Sequence, residues 1–121
     1  MPAIRFPEGT TFRQQYTIKD QTRAAISLVG AQMTFAVYEP GTGVDGPQVP
    51  WLEKTVGNGL VVVNGAGGIM RIDFEPADTV DRGGPAGNSY PWELELIENN
   101  GDTWLAGAGL LVIVPSRRLD A

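Results

Sequence analysis

The chain has 121 residues, 14 acids against 9 bases for a net charge of −5, 42% hydrophobic residues, and neither cysteine nor histidine. That length forms one domain around one core. Without cysteine there are no disulfides, thiolate metal sites or thiol nucleophiles, and without histidine there is no Ser–His triad or histidine-ligated zinc.

Sixteen glycines and nine prolines break the chain at short intervals, and no long stretch keeps a 3.6-residue apolar period. Short alternating runs dominate, and these predict strands. "MPAIRFPEG" (residues 1–9) is expected as an extension. "TFRQQYTI" (residues 11–18) places Phe12, Tyr16 and Ile18 on one face, and "KDQTR" turns after it. "AISLVG" (residues 25–30) is a short extended piece. "AQMTFAVYE" (residues 31–39) alternates Met33, Phe35 and Val37 against Thr34, Ala36 and Tyr38. It is uncharged up to Glu39, which predicts a central strand.

A loop rich in breakers follows over residues 40–50. "WLEKTV" (residues 51–56) carries Glu53 and Lys54 and is expected at a sheet edge. Asn58-Gly59, Asn64-Gly65 and Asn100-Gly101 lie between β-rich runs and predict hairpin turns, because both residue types tolerate positive φ. "LVVV" (residues 60–63) and "IMRIDFE" (residues 69–75) are strands, the second with Arg71 and Asp73 opposite Ile72 and Phe74. "PADTVDR" (residues 76–82) is the helical candidate, one turn long, with proline suited to its start and Asp78 near its positive end.

The last segment, "SYPWELELIENNGDTWLAGAGLLVIV" (residues 89–114), is the most legible. Tyr90, Trp92, Leu94 and Leu96 form an apolar face, and Glu93 and Glu95 face water. Trp104 is expected beside Trp92 across the hairpin. "TWLAGAGLLVIV" is apolar on both faces. A central strand covered on both sides, a bulge at Gly107 or Gly109 that switches faces, and a patch exposed for a partner all account for that. "PSRRLDA" (residues 115–121) is a basic, then polar, extension.

Roughly seven or eight strands with frequent turns make an all-β chain. The expected form is an immunoglobulin-like antiparallel β-sandwich, residues 1–121 being one domain with at most one short helical turn. Gly30, Gly101, Tyr90, Trp92 and Trp104 are its expected structural residues.

Site motifs are weak. "ENNGD" (residues 98–102) gathers oxygens at a turn but lacks EF-hand spacing. "GAGG" (residues 65–68) is followed by a strand, not the helix a phosphate loop needs. Glu93 and Glu95, ~7 Å apart along a strand, have a spacing tolerable for acid–base chemistry but also typical of a wet strand face. Trp51, after the proline-rich loop, offers a sugar platform or an interface anchor. No catalytic residue, metal or cofactor is expected. Acidity argues against nucleic acid, and no apolar run approaches the ~20 residues of a membrane helix. The opening residues have no charged segment followed by an apolar one, so a secretory leader is not expected.

Several stretches together, "GTTFRQQYTIKD" (residues 9–20), "ISLVGAQMTFAVYE" (residues 26–39), "GGIMRID" (residues 67–73) and "YPWELELIENNGDT" (residues 90–103), resemble the N-terminal domain of bacteriophage baseplate upper proteins. The resemblance implies a non-enzymatic virion part, assembled in the host cytoplasm, that attaches receptor-binding machinery to a tail. A capsid decoration, a head–tail accessory or a carbohydrate-binding adhesion module are its alternatives. The implied partners are other phage structural proteins and further copies of the chain, many to a particle. Arg5, Trp51, Arg117, Arg118 and Leu119 are the expected contacts.

Overall fold

The structure, a computed structural model, describes residues 3–20, 22–40 and 49–115. The described residues form β1 (Ile4–Pro7), β2 (Phe12–Thr17), β3 (Gln32–Val37), β4 (Leu52–Val56), β5 (Gly59–Asn64), β6 (Ile69–Phe74), a single turn of helix α1 (Pro76–Thr79), β7 (Asn88–Ile97) and β8 (Thr103–Val114). All eight strands belong to one sheet, ordered β1-β8-β7-β3-β4-β5-β6-β2. The all-β expectation holds. The two layers of the expected sandwich are here one sheet folded over until it nearly closes. Its two outermost strands are consecutive in the chain, and Phe6 of β1 stacks on Phe12 of β2 at 4.7 Å between ring centroids.

Alternation explains the core. β3, β6 and β7 each send every second side chain inward, so Phe35, Val37, Met70, Ile72, Phe74, Trp92, Leu94 and Leu96 are buried. β8 adds Leu111 and Ile113. The hairpin between β7 and β8 turns through a three-residue loop, residues 99–101, in which Glu98 donates its N–H to the Asp102 carbonyl, so Ile97 lies opposite Thr103. Gly101 takes φ 93° there, a conformation that glycine adopts without steric cost. At Gly30, φ is 72° and a β-carbon would lie 2.8 Å from Asn99 Oδ1, so a side chain there strains the backbone and must displace Asn99.

Several expectations need correction. Residues 4–7 are not part of an extension. Ile4 and Phe6 are buried, and β1 runs parallel to the end of β8. β4 is not an edge strand, because it lies between β3 and β5. Its charges do not mark an edge, since Lys54 turns inward, 2.8 Å from Asp78 of α1. Asn58-Gly59 makes no antiparallel hairpin. The chain jogs there, and β4 meets β5 in parallel for two pairs, Thr55 with Gly59 and Val56 with Leu60. Residues 25–30 contribute no strand. Ile26 and Leu28 instead donate backbone N–H groups to Ile18 and Gly65 carbonyls, and Leu28 enters the core. Trp104 is not beside Trp92. It pairs with Leu96 and is 40% exposed, whereas Trp92 pairs with Gly109.

On the outside of β6, Arg71 grips Asp73 with two hydrogen bonds of 2.6 and 3.0 Å, and Arg13 of β2 lies 3.7 Å away. The Arg71 hydrogen bond, aided by charge, holds the Asp73 carboxyl below its ordinary value. A lowered folded pKa stabilises the fold above the unfolded carboxyl value of ~3.9, and that contribution fades as pH falls through the folded value. The Tm difference between wild type and Asp73→Asn should therefore be largest at neutral pH and shrink below about pH 4. Circular-dichroism melts from neutral to acidic pH measure it, and a gap independent of pH would refute the assignment.

Candidate interaction surface

The outward residues of β8, β7, β3 and β4 align in rows set by register. One row carries Ala108, Glu93, Ala36 and Glu53. The next carries Leu105, Glu95, Thr34 and Thr55. Ala36 is small, so Glu93 and Glu53 flank it from both sides. With Thr34, Glu95 and Tyr38 they line a shallow open trough of about 120 Å³. No described cation forms an ion pair with Glu53, Glu93 or Glu95. Partial burial, reinforced by Glu93, Glu53 and Glu95, raises the Tyr38 phenol above its ordinary value. No metal-holding group of three acids occurs among the described residues.

Beside the acids runs an apolar stripe. The ladder between β7 and β8 shifts register between Leu94 and Glu95, so Ala106 is an extra residue on β8. Of the three accounts of this doubly apolar strand, the bulge is present, and the outer face beyond it lies exposed. Leu105 is 65% exposed and Leu110 49%. β1 pairs only with Leu111 to Val114, so among the described residues the edge of β8 from Thr103 to Leu110 has no partner strand. The strand itself carries no charged residue or proline there, and Lys19 and Asp20 border its Trp104–Ala106 end across a hollow without pairing with it as a strand.

The expected contact residues scatter. Arg5 is exposed on the same outer face, opposite Val112, and borders an open hollow with Pro85, Ala86, Val114 and Pro115. Trp51 is half-buried and engaged within the molecule. The Arg82 guanidinium lies 4.0 Å over its ring and the Tyr90 ring packs against it at 4.9 Å, which leaves no flat platform for a sugar. Arg82 is also paired with Glu39, and its carbonyl accepts the Tyr90 hydroxyl at 2.7 Å. Arg117, Arg118 and Leu119 lie outside the described residues.

The remaining weak motifs have local partners. Glu98 accepts the Trp104 indole N–H at 2.6 Å, and Asn100 Oδ1 accepts the Asp102 N–H at 2.9 Å, so the "ENNGD" oxygens serve their own turn. Gly67 in "GAGG" donates to Asn64 Oδ1 at 3.0 Å within the turn between β5 and β6. Glu53, Leu105 and Leu110 were not singled out by sequence. Alternation marks Leu105 and Leu110 as outward only once the bulge is placed. Glu53 reaches the cluster from a strand whose position the sequence does not reveal. No protein-family model matches the chain, and no curated protein matches it.

Proposed function

We propose that the chain is a non-enzymatic structural component of a bacteriophage particle, a tail, baseplate or fibre-attachment adaptor, that works through protein–protein contacts. The observation that carries the contact reading is the uncharged outer half of β8. Its exposed Leu105 and Leu110 and unpaired backbone form a surface that a lone soluble domain usually guards. The phage setting is supported by the likeness of residues 9–20, 26–39, 67–73 and 90–103 to baseplate upper proteins. The sugar-binding alternative loses support from the enclosure of Trp51 by Arg82 and Tyr90.

The test is quantitative mass spectrometry of gradient-purified particles from lysed cells that carry the gene. Peptides of this chain should appear at a fixed copy number relative to other particle proteins. Their absence from the particle fraction, with the protein recovered in the soluble lysate, would overturn the reading.

A further inference from the structure

We infer that the outer face of β8 and β7 docks residues 116–121 of a second copy of this chain. The inference rests on the protein-contact reading above and names the partner for it. The face to be covered is apolar, with Leu105 and Leu110 exposed, and it is bordered by Glu93 and Glu95, with Glu53 one strand beyond β3. No described cation neutralises these three acids. A segment that covers such a face needs positive charges and an apolar side chain close together.

The sequence contains one adjacent pair of bases, Arg117-Arg118, and Leu119 follows it directly. The other bases stand apart. Arg13 and Arg71 serve Asp73, Lys54 serves Asp78, and Arg82 serves Glu39. A guanidinium grips a carboxylate with two parallel hydrogen bonds, so paired arginines suit paired glutamates on one strand face. Glu93 and Glu95 are ~7 Å apart along β7, whereas adjacent residues of a straight extended segment point to opposite sides. Arg117 and Arg118 therefore meet both glutamates through the reach of their long side chains and not through a matched strand register.

Reach keeps the same copy's segment from the Leu105 and Glu95 end of the face, although Leu110 lies within its range, so covering the whole face takes a second copy. Leu105 lies roughly 30 Å back along β8 from Val114 at ~3.3 Å per residue. Leu119 extends at most ~18 Å beyond Val114 with the chain straight. The segment therefore cannot fold back to bring Leu119 onto Leu105, or Arg118 onto Glu95 in the same row. A neighbouring copy has no such restriction. Each copy gives one segment and accepts one, a reciprocal exchange that a symmetric assembly repeats.

The experiment uses the full chain and variants confined to exposed positions. Light scattering after gel filtration over a wide concentration range should show the wild-type mass rising above the 13.0 kDa monomer. The double variant R117E/R118E and the double variant E93R/E95R should each need at least ~10-fold more protein to associate. The quadruple variant, with both pairs reversed, should return to within a few-fold of wild type. An excess of the free peptide of residues 115–121 should dissociate the wild type, and high salt should weaken the association. Double variants that associate like wild type, a quadruple variant no better than either double, or a wild type monomeric at every concentration would each overturn the docking. Presence or absence in purified particles is a separate readout, so the docking and the particle reading fail independently.

Discussion

Asp78→Ala is expected to destabilise the fold by about 3–5 kcal/mol, whereas Lys54→Met should cost about 1 kcal/mol or less. Lys54 projects inward from β4, and its side chain is 7% exposed. Its ammonium lies 2.8 Å from Asp78 Oδ2 and 5.7 Å from the centroid of the Phe74 ring. Removing Asp78 leaves a buried cation with no carboxylate in direct contact, Asp73 acting on it only from a distance, and that is the costly way to break a buried pair. It also removes the acceptor of the Glu75 N–H at 2.7 Å, which fixes the first turn of α1.

Removing the lysine charge is different. Asp78 is 19% exposed and keeps its backbone donor, so it is left hydrated and partly satisfied, while the methionine fills most of the lysine's volume. Urea unfolding of the two single variants decides the matter. Equal losses would mean that α1 is held by packing and not by this pair. A domain of this size is stable by about 5–15 kcal/mol, so the aspartate variant should be visibly compromised at body temperature.

The contrast between these two residues also marks the limit of sequence reading. The charge pair Glu53-Lys54 pointed to an edge strand because charges guard edges. Nothing local reveals that Lys54 has a partner 24 residues on. β7 and β8 were legible because alternation and a tight turn are local signals, and counting back from the three-residue loop puts Ile97 opposite Thr103. The same counting puts Trp104 opposite Leu96, so the expected tryptophan pair conflicted with the register its own turn implies. β1 escaped because four residues between prolines give too short a pattern, although Ile4 and Phe6 do alternate. Of the interaction surface, the wet glutamates of β7 were visible. Glu53 joins them only because β3 lies between β4 and β7, a pairing of distant segments that no local period encodes.

Trp92 anchors the other large effect. It is 1% exposed, packs against Phe35 at 5.4 Å and Tyr16 at 6.4 Å between ring centroids, and sits beneath Gly109 of β8. Trp92→Ala should cost about 3–5 kcal/mol, the range for emptying an aromatic site in a core that cannot fully collapse. Trp92→Phe should cost much less than its lost volume suggests. The indole N–H is buried without a hydrogen-bond partner among the described residues, and a buried unsatisfied donor carries a penalty of about 1–3 kcal/mol that phenylalanine removes.

Gly109 supplies the cross-check. A β-carbon there would lie 3.3 Å from the Trp92 ring, and Trp92 has no room to retreat. Gly109→Ala should therefore destabilise the wild type by about 1 kcal/mol, despite the usual gain from a stiffer unfolded chain. In the Trp92→Phe background the clash is gone and the same substitution should be neutral or stabilising. The four proteins form a double-mutant cycle, with an expected coupling on the order of 1 kcal/mol between positions in direct contact. A coupling near zero would mean that Gly109 is required for its backbone and not for the space its missing side chain leaves to Trp92.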